Sequence, residues 1–130
     1  MYVLRTEVGR AALAAVWFTA SSIFASAYAD QVEFRLDNQK IAQHYAGRAV
    51  YLRWQGADFT LIFSEDGRLD GKTDVVSDSG RWWTDDDKMC RQWRRWHENR
   101  VVCHPVVAKG ELHVWHLLDG SIVTVRMMPG

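Results

Sequence analysis

Clusters of Asp and Gly interrupt the second half of the chain at short intervals, and they limit the length of any helix or strand there. Asp accepts hydrogen bonds from nearby backbone and Gly adopts positive φ, so both favour tight turns. Six such clusters are Glu65-Asp66-Gly67, Leu69-Asp70-Gly71, Asp78-Ser79-Gly80, Asp85-Asp86-Asp87, Ala108-Lys109-Gly110 and Leu118-Asp119-Gly120. Most segments between these turns are therefore predicted to be short strands.

The hydrophobic pattern of these segments supports strands. Phe59, Leu61 and Phe63 alternate with Asp58, Thr60 and Ser64, as in a half-buried strand, and only Ile62 breaks the pattern. The predicted strands are residues 48–54, 58–64, 68–76, 80–84, 89–96, 101–107, 111–117 and 123–127. We expect a mainly β domain, an antiparallel meander of about eight short strands that forms a small barrel or a sandwich.

One short helix is predicted before the first of these strands. Asp37 is a good N-cap, residues 38–46 contain neither Pro nor Gly, and Gly47 suits a left-handed C-cap. Ile41 and Tyr45 lie four residues apart, so they share the face that packs onto the sheet. Pro105 suits an edge strand or a bulge, because it has no backbone N–H to donate.

Residues 1–29 have the pattern of a cleavable signal peptide. Arg5 and Arg10 provide a basic start, residues 11–24 are apolar or small, and Ala27-Tyr28-Ala29 is a small-x-small cleavage site. The apolar run of about 14 residues is shorter than the roughly 20 that span a bilayer. We expect cleavage between Ala29 and Asp30, a periplasmic or secreted protein, no stable membrane anchor after cleavage, and a single β-rich domain at 30–130.

The two cysteines are predicted to form a disulfide. Cys90 and Cys103 are the only cysteines of the chain, and export places them in an oxidising compartment. A bridge between them closes a loop of roughly 14 residues, for which chain entropy predicts about 3 kcal/mol of stabilisation. A redox pair more often has the spacing Cys-x-x-Cys, so we expect a structural bridge.

Several of these pieces, in this order, resemble a group of small exported alphaproteobacterial proteins of unknown function. The pieces are Gly47-Arg48, the strand through Phe59 and Phe63, Glu65-Asp66-Gly67, Asp78-Ser79-Gly80-Arg81-Trp82, Cys90-Arg91-Gln92-Trp93, Cys103 and Leu118-Asp119-Gly120. The likeness covers most of residues 37–130. It implies a compact β-rich periplasmic domain with one disulfide hairpin, and it implies no activity.

Charge is balanced over the whole chain and uneven within it. The chain has sixteen basic and sixteen acidic residues, which argues against a strongly basic nucleic-acid binder. Residues 65–87 hold eight acidic and three basic residues, whereas residues 88–100 hold five basic and one acidic. These two blocks could steer a charged partner, or they could pair with each other at the surface.

The densest candidate binding region lies between Arg81 and Arg100. Aromatic faces flanked by guanidinium groups stack flat ligands and hold carboxylates or phosphates. The candidate ligand-binding residues are Trp82, Trp83, Trp93, Arg94, Trp96 and His97. Packing of these Trp side chains in the core is the competing interpretation. Trp82 and Trp83 are adjacent, so in a strand they face opposite sides and one of them leaves the core.

Metal and catalytic motifs are not expected. His113 and His116 are three residues apart, which on a strand places them on opposite faces. Glu111 and His113 share a face of their predicted strand. His104 could complete a metal site with them from a neighbouring strand, but the sequence does not fix how these two strands pair. The acidic turns at Asp66 and Asp70 do not match a calcium loop. We expect neither a metal nor another cofactor.

Three functional hypotheses follow. The first is a non-enzymatic binding module that uses the Trp/Arg-rich surface for a small ligand or a cell-envelope component, with no nucleic acid as partner. The second is a lipocalin-like carrier of a small apolar ligand in a barrel interior. The third is a small periplasmic hydrolase, although the chain contains no nucleophile elbow, phosphate loop or zinc motif.

Overall fold

The fold is mainly β with one helix, as predicted. A computed structural model describes residues 33–129. The elements are β1 (Glu33–Arg35), α1 (Asn38–Tyr45), β2 (Arg48–Trp54), β3 (Ala57–Phe63), β4 (Arg68–Lys72), β5 (Ser77–Asp85), β6 (Lys88–Trp93), a 3₁₀ turn (Trp96–Asn99), β7 (Val101–His104), β8 (Val106–Lys109), β9 (Leu112–His116) and β10 (Ile122–Met127).

All ten strands belong to one antiparallel sheet that curls into a half-barrel. Their order across the sheet is β1-β8-β9-β10-β2-β3-β4-β5-β6-β7. β7 is therefore one edge, and β8 lies next to the other edge, yet only Pro105 separates these two strands in the chain. The curl consequently brings both ends of the sheet together at Pro105, where the missing N–H removes no sheet hydrogen bond.

Alternate side chains of each strand fill the inside of the curl. β10 shows the pattern clearly, because Val123 and Val125 are buried whereas Ile122 and Thr124 are exposed. The interior is rich in large aromatic side chains, and Trp82, Trp93 and Trp115 are each less than a tenth exposed. Burial of this apolar surface is the main driving force for the fold.

Helix α1 covers one end of the curled sheet and matches its prediction closely. The Asp37 carboxylate accepts the Lys40 N–H at 2.9 Å, and Gly47 follows the helix with φ of 76°. Ile41 and Tyr45 are both fully buried. The helix therefore begins and ends where its capping residues require.

Two of the predicted turns are wrong. Leu69-Asp70-Gly71 lies within β4, and Asp78-Ser79-Gly80 lies within β5, which begins at Ser77. Both glycines face the interior, where neighbouring residues leave no space for a side chain. A Cβ on Gly71 would lie 2.6 Å from Trp93 Cη2 and 2.7 Å from Trp96 Cζ3, and a Cβ on Gly80 would collide with the backbone of Gln92 and Trp93. These glycines mark close packing within strands.

Other differences concern strand ends. The predicted strand 89–96 stops at Trp93 and continues into the 3₁₀ turn, and the predicted strand 101–107 is divided at Pro105 into β7 and β8. Strand β1, which pairs with β8, was not predicted. Three residues provide too short a pattern to identify a strand.

The predicted cysteine pair is confirmed. Cys90 on β6 and Cys103 on β7 lie directly opposite each other, with their Sγ atoms 2.09 Å apart. The predicted signal peptide at 1–29 lies outside the described residues. Between Glu33 and Pro129 no helix is long and apolar enough to cross a membrane.

Candidate binding pocket

A small cavity opens inside the curl, at the end opposite α1. Tyr45 of α1 packs against Phe63 at the end of β3, whereas the cavity lies beside Phe59, near the start of that strand. The cavity volume is about 50 Å³, several times the roughly 10–15 Å³ that one water molecule requires. Its lining consists of Leu52, Trp54, Phe59, Leu61, Arg91, Trp93, Trp96, His97, Trp115, Leu117 and Val123.

Aromatic rings in mutual contact form the mouth of this pocket. Trp96 packs edge-on against Phe59, with ring centroids 5.6 Å apart, and its centroid lies 4.7 Å from that of Trp93. On the other side, Trp54 contacts the His97 ring at 5.5 Å. Such aromatic contacts hold the rings in defined orientations and leave flat faces for a flat ligand.

The segment that carries Trp96 and His97 is fixed by a buried carboxylate. Asp78 Oδ2 accepts the backbone N–H groups of Arg95 and Trp96, both at 2.9 Å. Burial acts to raise the pKa of Asp78, but these N–H donors outweigh that effect, so its pKa is lowered. The carboxylate is therefore charged at neutral pH and anchors the segment to β5.

The same segment has an unusual backbone conformation. His97, Glu98 and Asn99 have φ of 54°, 56° and 60°, the left-handed region that non-glycine residues rarely adopt. Burial lowers the pKa of His97, and the nearby charge of Arg91 lowers it further. His97 therefore faces the pocket as a neutral ring at pH 7.

Arg91 lies at the floor of the pocket and is 5% exposed. Its guanidinium group lies 5.1 Å from the Trp115 ring, and the His104 ring lies 4.9 Å from the same indole. Arg91 Nη1 donates to His104 Nε2, so the His104 proton is on Nδ1, which donates to the Pro105 carbonyl at 2.9 Å. Burial lowers the pKa of His104 to about 3, which keeps this ring neutral as the arrangement requires.

A second buried chain of hydrogen bonds links α1 to the sheet. Trp115 Nε1 donates to the Tyr45 hydroxyl at 3.0 Å, so the hydroxyl donates to His113 Nδ1 at 2.8 Å. Burial raises the pKa of Tyr45 and lowers that of His113 to about 4. Both groups are neutral at pH 7, and they fix the Trp115 indole beside the pocket.

The structure separates the predicted ligand-binding residues into three groups. Trp93, Trp96 and His97 line the pocket. Trp82 belongs to the core, where it packs edge-on against Phe63 and donates to the Ser64 carbonyl at 2.9 Å. Trp83 and Arg94 lie on the outer face.

Sequence reasoning missed Trp54, Arg91 and Trp115 as pocket residues. The alternation along β6 contained a signal for Arg91, because Met89, Arg91 and Trp93 share one face of that strand. Trp54 and Trp115 come from distant segments that only the curl of the sheet brings to β6.

The outer face carries a larger but open and polar hollow of about 700 Å³ between β3, β4 and β5. Two of its carboxylates already hold arginines, since Asp70 pairs with Arg68 at 3.0 Å and Asp78 with Arg95 at 3.6 Å. Of these two pairs, Asp78–Arg95 joins the acidic block to the basic block, whereas Arg68 and Asp70 both lie within the acidic block. The half-buried Trp83 on this face contacts the guanidinium group of Arg81 at 5.2 Å.

The histidines are arranged as the strand period predicts. His113 is buried and His116 is exposed, on opposite faces of β9. In the part of the chain that the structure describes, no three His, Cys, Asp or Glu side chains are grouped as metal ligands.

Comparisons of the chain with protein families, with curated proteins and with solved structures found no match. The function is therefore inferred from the pocket.

Proposed function

We propose that the protein is an exported, non-enzymatic binding module that takes a small, flat or apolar ligand into the pocket between Trp54, Trp96 and Arg91. The observation that carries the proposal is the composition of the pocket lining. Nine apolar side chains line it, together with Arg91 and His97. A concave, mostly aromatic surface with a few convergent polar groups is typical of small-molecule sites.

Fixed pocket walls support binding. Trp115 is held by Tyr45 and by contact with the His104 ring, and the segment around Trp96 is held by Asp78. A ligand that enters therefore meets side chains already in place, which reduces the entropy lost on binding.

The volume of the cavity limits the size of the ligand. About 50 Å³ accommodates a group of a few heavy atoms, so a larger ligand has to extend outward between Trp96 and His97 or displace them. The left-handed backbone at 97–99 is a conformation of higher energy, and the hydrogen bonds of Asp78 to the N–H groups of Arg95 and Trp96 hold the segment that adopts it.

The lipocalin-like carrier is the second candidate, and the filled interior supports it less. Trp82, Trp93, Tyr45 and Trp115 occupy the space that a lipid tail would need. A carrier of this kind predicts that protein purified from its native host retains a lipid or pigment that mass spectrometry detects.

Export is part of the proposal. The signal-peptide pattern of residues 1–29 supports it, and so does the Cys90–Cys103 pair, because structural disulfides persist in oxidising compartments.

The test uses three small aromatic probes, indole, benzamide and benzoate. Binding is measured by NMR through the indole N–H signals of Trp96 and Trp115. Leu117→Trp places a bulky side chain in the pocket, and Leu118→Trp is its matched control, because Leu118 is adjacent and 85% exposed.

We expect saturable binding of at least one probe, weakened tenfold or more by Leu117→Trp and unchanged by Leu118→Trp. If no probe binds saturably, or if both variants bind equally well, the proposal is wrong.

A further inference from the structure

Arg91 is a buried cation without a buried anion. It points into the curl from β6, and its side-chain contacts are the neutral His104 ring and the face of Trp115. The ion pairs found within residues 33–129 all involve other cations, namely Arg53, Arg68, Lys88, Arg95 and Lys109. A buried charge is costly unless an opposite charge accompanies it, so the pocket favours an anion.

The charge of Arg91 persists at neutral pH. Burial lowers the pKa of Arg91 to about 10, and this is still well above 7. His104 does not relieve the charge, because it accepts a hydrogen bond as a neutral ring. The floor of the pocket therefore carries one net positive charge.

Arg91 also retains unused donors. Its Nη1 bonds to His104, whereas its Nε and Nη2 make no hydrogen bond with any described residue. Arg91 lines the pocket and is 5% exposed, so part of its side chain is open to that space. The Nε–Nη2 edge of a guanidinium presents two parallel N–H groups, which matches the two oxygens of a carboxylate.

The surroundings restrict the rest of the ligand. Trp93, Trp96 and Leu61 are apolar and line the same pocket as Arg91, so the part of the ligand that carries the anionic group must itself be apolar. One positive charge matches a singly charged carboxylate better than a doubly charged phosphate ester, whose second charge would remain unpaired in an apolar pocket.

From these contacts we infer that the ligand is a small aromatic or short-chain carboxylate, and that the Nε–Nη2 edge of Arg91 receives its carboxylate group while the Trp93 and Trp96 rings hold its apolar body. This inference rests on the proposed function and specifies its ligand class.

The experiment compares benzoate with benzamide, which has nearly the same shape and no charge, at pH 7. Binding to the wild-type protein is measured by calorimetry and by the Trp115 indole N–H signal. Arg91→Met removes the buried charge, and Arg94→Met is the matched control, because Arg94 is exposed on the outer face.

We expect benzoate to bind at least tenfold more tightly than benzamide. Arg91→Met should reduce this preference to less than twofold, and Arg94→Met should preserve it. Equal binding of both probes by the wild-type protein overturns the carboxylate inference and leaves the proposed function standing. A preference that survives Arg91→Met overturns the role of Arg91.

The comparison on the wild-type protein remains decisive if Arg91→Met does not fold. Binding of neither probe overturns the carboxylate inference, and the absence of indole binding as well overturns the proposed function.

Discussion

Gly71 of β4 lies directly beneath the Trp93 indole, so close that a Cβ at Gly71 would be 2.6 Å from Trp93 Cη2. Trp96 approaches the same position to 2.7 Å. The positions of two pocket residues therefore depend on the absence of one methyl group on a neighbouring strand.

Gly71→Ala should destabilise the domain. The added methyl group displaces Trp93 and Trp96, and overpacking of this kind costs typically about 1–3 kcal/mol. Urea unfolding measures the change in free energy, and near-ultraviolet circular dichroism reports the displaced indoles. Gly120→Ala is the control: nothing lies within 4 Å of its Cβ position, although its φ is 88°. It adds backbone strain but should leave the indole signal unchanged, and an unchanged signal in Gly71→Ala would contradict the packing described here.

Stability should fall as the pH decreases from about 6.5 to 4. His104 and His113 have pKa values of about 3 and about 4 in the folded protein, whereas an unfolded histidine titrates near 6.5. The unfolded state therefore binds more protons in this window, and each histidine contributes at most about 1.4 kcal/mol per pH unit.

Urea unfolding at pH 7, 6, 5 and 4.5 measures this slope. His113→Gln should reduce it, whereas His116→Gln on the exposed face should not. An equal slope in the wild type and in His113→Gln would show that His113 is not a buried neutral group.

Removal of the disulfide should lower the free energy of unfolding by roughly 3 kcal/mol, because the bridge closes a loop of about 14 residues. The double variant Cys90→Ala/Cys103→Ala tests this value in urea. Reductant should destabilise the wild type and leave the double variant unchanged. Intact mass after alkylation should reveal two thiols only when the protein has been reduced, and alkylation without reduction would contradict the bridge.

Asp78→Ala should loosen the segment that carries Trp96 and His97. The variant leaves the N–H groups of Arg95 and Trp96 without their shared acceptor. Hydrogen exchange of these two amides should accelerate by roughly tenfold or more. Asp70→Ala is the matched control, because the Asp70 side chain accepts hydrogen bonds only from the Arg68 side chain among the described residues. If the Arg95 and Trp96 amides exchange at the same rate in both variants, Asp78 does not anchor this segment.

Local patterns predicted the elements whose signals lie within a few residues. The bounds of β2 match its predicted range, and α1 begins after Asp37, because alternation and capping are properties of neighbouring residues. Gly71 and Gly80 were mistaken for turn residues, because Gly71 makes room for the indoles of Trp93 and Trp96 and Gly80 makes room for the backbone of β6. Sequence alone does not show that proximity.

The candidate site was predictable in part for the same reason. Trp93, Trp96 and His97 are close in sequence and form one wall. Arg91 was assigned to a basic block that would lie on the surface, because a charged residue is rarely buried without a partner. Trp54 and Trp115 reach the pocket only through the curl of the sheet.

Residues 101–109 form one long strand that is interrupted at Pro105, and the two halves of this strand pair with different strands of the sheet. Its first half pairs with β6, and its second half pairs with β9 and β1. Detachment of this strand would expose the backbone of both ends of the sheet at once. Loss of residues 101–109 would therefore weaken both ends of the sheet together, which favours a single cooperative unfolding transition of residues 33–129.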